Sequence, residues 1–148
     1  MTSSEIIYGI KLEESYIERL YPHNLYSHLY SDYYEHKKAD GNMMRIYPID
    51  FDELSEYLEN DKVTSRKIDT MYKVNYANDS TMNINGNDTD NTIIVGIVLA
   101  KCELHYNGIM KIPVVDKITK KMMREFLNDH KELSNEVPEL YSYTDSGK

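Results

Sequence analysis

Residues 92–100 read Thr92-Ile93-Ile94-Val95-Gly96-Ile97-Val98-Leu99-Ala100. The run is rich in β-branched residues and apolar on both alternating faces. It predicts a central strand with both sides covered. From Lys101 the pattern turns to alternation, with Cys102, Leu104 and Tyr106 on one side and Lys101, Glu103 and His105 on the other. Asn107-Gly108 then signals a hairpin, and Ile109-Met110-Lys111-Ile112 reads as its return, stopped by Pro113. Strands are thus expected near 92–106 and 109–113.

The segment Ile6-Ile7-Tyr8-Gly9-Ile10-Lys11-Leu12 echoes 93–99 at five of seven positions. Two similar central strands explain the echo better than a duplication. A glycine inside a strand marks a bulge or close backbone approach. If the strands are neighbours, Gly9 and Gly96 leave room above the sheet for a ligand, with Tyr8 beside it. Further strands are expected near 5–12, 43–47 and 72–76.

Helices are expected near 14–38, 51–60 and 115–131. The first is read in two pieces, because Pro22 pushes Tyr21 out of helical geometry. The second starts at Asp50-Phe51-Asp52-Glu53, where Asp50 can cap and Glu53 can reach back as a capping-box partner. The third carries Ile118, Met122, Met123, Phe126 and Leu127 on one side. Residues 78–91 read as an exposed polar loop and 139–148 as a tail. The sum is one α+β domain spanning 1–148, a mixed or antiparallel sheet packed by helices.

Composition narrows the function classes. The 148 residues carry a net charge of -8, and a mean hydropathy of -0.63 with no apolar run of spanning length excludes a helical membrane protein. Charge is uneven, at -3, -5 and 0 over residues 1–40, 41–92 and 93–148. The basic cluster Lys117, Lys120, Lys121 and Arg124 has the spacing of a solvated helix face, so duplex nucleic acid is disfavoured as a partner. Met1 to Glu5 lacks the basic start of a signal peptide, and the lone Cys102 allows no intramolecular disulfide. Both fit a reducing, cytoplasmic compartment. Abundant Asn, Ile, Lys and Tyr beside few Ala and Pro match A+T-rich coding, as in viral, phage or some microbial genomes.

No nucleophile elbow, phosphate-binding glycine loop or dinucleotide fingerprint occurs. No catalytic residue or cofactor is predicted. Cys102 and His105 are three apart on a strand and point to opposite faces, so they make no Cys–His pair. His28, Asp32 and His36 would share a face of the first helix and could ligate a metal.

Tyrosine is the stronger signal, with 14 Tyr against 2 Phe and no Trp. On a helix, Tyr26, Tyr30, Tyr33 and Tyr34 fall at i, i+4, i+7 and i+8, an aromatic ridge that is either core or contact surface. The leading expectation is a non-enzymatic binding or assembly protein. It would use this ridge on a protein partner or on itself as a homo-oligomer. The alternatives are a nucleotide-type ligand at Tyr8, Gly9 and Gly96, and a small metal-dependent hydrolase at His28, Asp32 and His36.

Overall fold

The computed structural model describes residues 2–68, 91–104 and 109–145. In chain order they form β1 (Thr2–Glu13), α1 (Glu14–Leu20), β2 (Tyr34–Lys37), β3 (Met43–Ile46), α2 (Phe51–Leu58), β4 (Thr64–Ile68), β5 (Thr92–Leu104), α3 (Lys117–Asp129) and β6 (Glu139–Asp145). Short 3-10 turns occupy Ser27–Leu29 and Lys131–Leu133. The class is α+β, as the residue pattern predicts.

The main sheet is antiparallel, in the order β4-β5-β1-β6, so the two echoing strands are its centre. Their ladder sets Gly9 directly opposite Gly96. It carries one irregularity, where Ile6 pairs with Ala100 but Ile7 with Val98, leaving Leu99 as the extra residue of a bulge. Register assigns the faces. Tyr8, Ile10 and Leu12 stand with Ile93, Val95 and Ile97, and this face packs on Ile17, Leu54, Leu58, Met123 and Leu127 of the helices. Ile7 and Ile94 lie on the opposite face and are also buried, which explains why both strands read as continuously apolar.

Glu5 shares that second face with Arg66 of β4. The two make a two-bond pair across β5, Nε–Oε1 at 2.8 Å and Nη2–Oε2 at 3.1 Å. Arg66 thereby holds the Glu5 carboxyl below its usual 4.5, outweighing the opposite effect of burial. A buried carboxylate in a β-rich run is tolerable only with such a partner.

Several sequence expectations are corrected. The first helix stops at Leu20 and never resumes. Tyr21 leaves helical geometry before Pro22, Leu25 and Tyr26 donate to the Pro22 carbonyl in a turn, and the chain then becomes strand at Tyr34. Residues 23–34 hold His, Asn, Ser, Asp and Tyr with only two Leu, a set with weak helix propensity. Residues 109–113 have no ladder partner, and both central-strand edges that matter are taken by β1 and β4. The supposed tail is an edge strand, since 139–145 pairs with β1 from Ser3↔Asp145 to Gly9↔Glu139. Ile118 faces solvent on α3, and Thr119 is buried in its place.

Other expectations stand. Strand 5–12 lies within β1, and 43–47 contains β3. Asp50 caps α2 by accepting from the amides of Asp52 and Glu53 at 3.1 and 3.2 Å. The Asp50 amide itself donates to Leu29 O at 2.8 Å, so it is not left for Glu53. Asp116 caps α3 through the Thr119 amide at 2.7 Å. The expected strand at 72–76, all of the expected loop at 78–91 except Asn91, and the hairpin turn at 107–108 lie outside the described residues.

Candidate functional site

The structure divides the four predicted ridge tyrosines into two settings. Tyr26 and Tyr30 flank the 3-10 turn and are half-buried against the core. Tyr33 and Tyr34 are exposed, at the entrance of a two-stranded arm.

The inner setting is an aromatic cluster centred on Tyr57 of α2. Edge-to-face contacts link Tyr57 to Tyr21 (5.8 Å between ring centres), Tyr26 (6.3 Å), His28 (5.8 Å) and His130 (5.4 Å). The hydroxyls pin separate parts of the chain. Tyr26 donates to Glu132, Tyr16 to Glu136, and Tyr30 to the Tyr21 carbonyl. The bond to Glu132 pushes the Tyr26 phenol up to about 12. Tyr21 is fully buried, and its hydroxyl has no hydrogen-bond partner among the described residues. Burial holds the His130 imidazole below its usual 6.5, against the opposing pull of Glu132 and Asp129. These rings behave as packing with anchored tips.

The outer setting is the arm. Tyr34↔Ile46, Glu35↔Arg45, His36↔Met44 and Lys37↔Met43 form its ladder. Its base is fixed by the Tyr30↔Ile49 bridge and by Ser31 N donating to Pro48 O at 3.0 Å. Its turn closes at Gly41, whose φ of 88° is open to glycine, with Asp40 accepting from the Asn42 amide at 2.9 Å. Alternation gives the ribbon two faces. Tyr34, His36, Met44 and Ile46 form one, while Tyr33, Glu35, Lys37, Met43, Arg45 and Tyr47 form the other. On the second face the Arg45 guanidinium lies 4.4 Å from the Tyr33 ring centre, and Tyr33 and Tyr47 rings are 5.6 Å apart. His23 continues the stack, 4.3 Å from Tyr47 and 4.9 Å from Tyr30.

Both faces remain open. Tyr34 is 53% exposed and Met43 56%, with Tyr33, Met44 and Tyr47 between 37% and 43%. Sequence reasoning missed Met43, Met44 and Tyr47 as surface groups because their pattern alone resembles a half-buried strand. It also missed a second apolar surface. Residues 109–116 are irregular, and Ile109, Ile112 and Val114 are each at least 70% exposed there.

The other predicted sites do not assemble. Tyr8 packs on the helical face, whereas any side chain at Gly9 or Gly96 would stand on the opposite one. The space at the glycines is filled by the paired strand. A Cβ on Gly9 would meet Val95 O at 2.0 Å, and one on Gly96 would meet Tyr8 O at 2.4 Å. The glycines serve backbone approach. His28 lies in the 3-10 turn, Asp32 in irregular chain and His36 in β2, so the helical spacing that would align them is absent. Among the described residues no group of three His, Cys, Asp or Glu converges as metal ligands. Cys102 is half-buried on β5, its sulfur 3.7 Å from the Glu103 carbonyl. In the basic cluster of α3, Arg124 donates to the carbonyls of Ser134 and Glu136 at 2.9 and 2.8 Å and so serves the fold.

No family model, curated protein or solved structure matches this chain. Among the described residues no helix is long and apolar enough to cross a membrane.

Proposed function

We propose that this is a non-enzymatic binding or assembly protein of the cytoplasm whose contact surface is the β2–β3 arm. The observation that carries the reading is the exposure of Tyr33, Tyr34, Met43, Met44 and Tyr47 together on one short ribbon. Tyr33, Met43 and Tyr47 on one face and Tyr34 and Met44 on the other together leave on the order of 400 Å² of side-chain surface in water, divided between the two faces. A two-stranded ribbon is marginal on its own, and a third layer against either face stabilises it. Tyr and Met suit such a surface, offering large area with a polar tip and a flexible thioether respectively.

A photo-crosslinking residue in place of Tyr34 tests this. The expected result is a covalent adduct with a protein, either another chain or a second copy, that disappears when Met43→Asp and Met44→Asp are added. Absence of any protein adduct, with a folded chain, overturns the reading.

A further inference from the structure

We infer that the occupant of the arm is a second copy of this chain, each copy laying its arm along α2 of the other about a twofold axis. The inference rests on the reading of the arm as a contact surface, and names its partner.

Charge carries the argument. The arm, residues 33–47, holds Lys37, Lys38 and Arg45 against Glu35 and Asp40, a net +1 on a molecule of net -8. It leads straight into the most acidic stretch, residues 50–62, with six acids and one Lys. Asp52, Glu53 and Glu56 are exposed on α2 and have no ion-pair partner among the described residues. Asp52 and Glu56 are four apart and Glu53 and Glu56 three apart, so their like charges repel along the helix surface. Lys37 and Lys38 are also exposed and have no ion-pair partner among the described residues. Among the described residues the arm and α2 thus offer two patches of opposite sign without ion-pair partners.

Apolar complementarity accompanies the charge. A cleft of about 300 Å³ opens between the arm's base and α2, lined by Ser31, Ile49, Asp50, Phe51, Asp52 and Lys67. Its apolar lining is Ile49 and Phe51, its charged lining is Asp50, Asp52 and Lys67, and the Lys67 ammonium lies 4.9 Å from the Phe51 ring centre. Met43 sits across the ladder from Lys37, so the arm presents a thioether beside an ammonium to an apolar lining beside carboxylates. Because each copy offers both arm and cleft, a twofold arrangement makes the contact twice.

Sedimentation velocity on the intact chain reads the outcome. The chain is expected to reach twice its 17.4 kDa as concentration rises, and added salt should weaken the association. Lys37→Glu with Lys38→Glu should weaken it by about tenfold or more, as should Glu53→Lys with Glu56→Lys. Mixing the two variants should restore a dimer, because every inverted arm then meets an inverted helix. Circular dichroism certifies each fold, and Glu56→Gln replaces the helix variant if that one unfolds. A chain that stays at 17.4 kDa throughout, or variants that associate like the parent, overturns the inference. Such a monomer that still crosslinks another protein through position 34 refutes only the self-association. Loss of all adducts refutes the arm as a surface.

Discussion

Substituting Gly9 by Ala reports directly on why two glycines face each other at the centre of the sheet. The added methyl would lie 2.0 Å from the Val95 carbonyl oxygen and 2.6 Å from the Gly96 Cα. Ordinary contacts for these atoms are about 3.3–3.6 Å and about 3.5–4.0 Å. Both obstacles are backbone, so no rotamer change relieves them. The strands must part locally by an ångström or more, which stretches the flanking ladder bonds out of range. Losing two or three costs about 1 kcal/mol each, added to about 1–3 kcal/mol of overpacking. Ala recovers only about 0.5–1 kcal/mol through its smaller entropy loss on folding. The net expectation is a loss of about 3–5 kcal/mol, a large share of the usual 5–15. For a chain of this size that lowers Tm by about 6–20 °C. Urea and thermal unfolding followed by circular dichroism measure it. Gly41→Ala is the control, since its methyl meets nothing within 4 Å and only its φ of 88° is strained, for about 1 kcal/mol. A Gly9→Ala protein as stable as the parent, or more stable, would refute the reasoning, because that is the result for a strand glycine beside open space.

Three further outcomes follow from the interior. Arg66→Met leaves Glu5 buried without its partner, and because Arg66 is about a third exposed the loss should be about 2–3 kcal/mol, below the usual range for an orphaned charge. Glu5 is held below 4.5 in the parent, so its contribution is present above that pH and fades as pH falls through the folded value. The gap between parent and variant in urea midpoint should therefore narrow below pH 4.5. Tyr21→Phe removes a buried hydroxyl that has no partner among the described residues and should raise stability by about 1 kcal/mol, whereas a comparable fall in midpoint would contradict that account. His130 has a depressed folded pKa, so it supports stability above about pH 6.5 and costs it as pH falls through the lower value. His130→Gln should flatten the urea midpoint between pH 7.5 and 5.5, and an unchanged slope would count against a buried neutral imidazole.

The sheet's centre was legible in the sequence because burial on both faces leaves an unbroken apolar run in β5 and β1. α2 was legible because its capping residue, Asp50, stands immediately before the apolar stripe. The arm was not. Tyr26 to Tyr34 satisfied a helical period by position, yet the intervening His, Asn, Ser and Asp favour turns, and Pro22 prevents a helix entering from α1. β6 was hidden because its stability comes from the β1 backbone beside it, and Ser142 and Thr144 read as tail composition. The glycine echo identified the right pair of residues but the wrong reason. Only register shows that the strands meet there, and that Tyr8 points the other way.

The ladder between β1 and β6 joins residues such as Ser4 and Thr144, which are 140 positions apart in the chain. At about 5–20 residues per second, a ribosome takes on the order of ten seconds to deliver the second after the first. Throughout that interval β1 has a free edge in a nascent chain. Ile6-Ile7-Tyr8-Gly9-Ile10 on such an edge is the kind of segment that recruits other chains. Glu5 heads that segment on the second face, and until Arg66 emerges its carboxylate lacks its arginine partner. In the finished fold the Arg66 guanidinium neutralises that carboxylate, and residues 139–145 cover the edge.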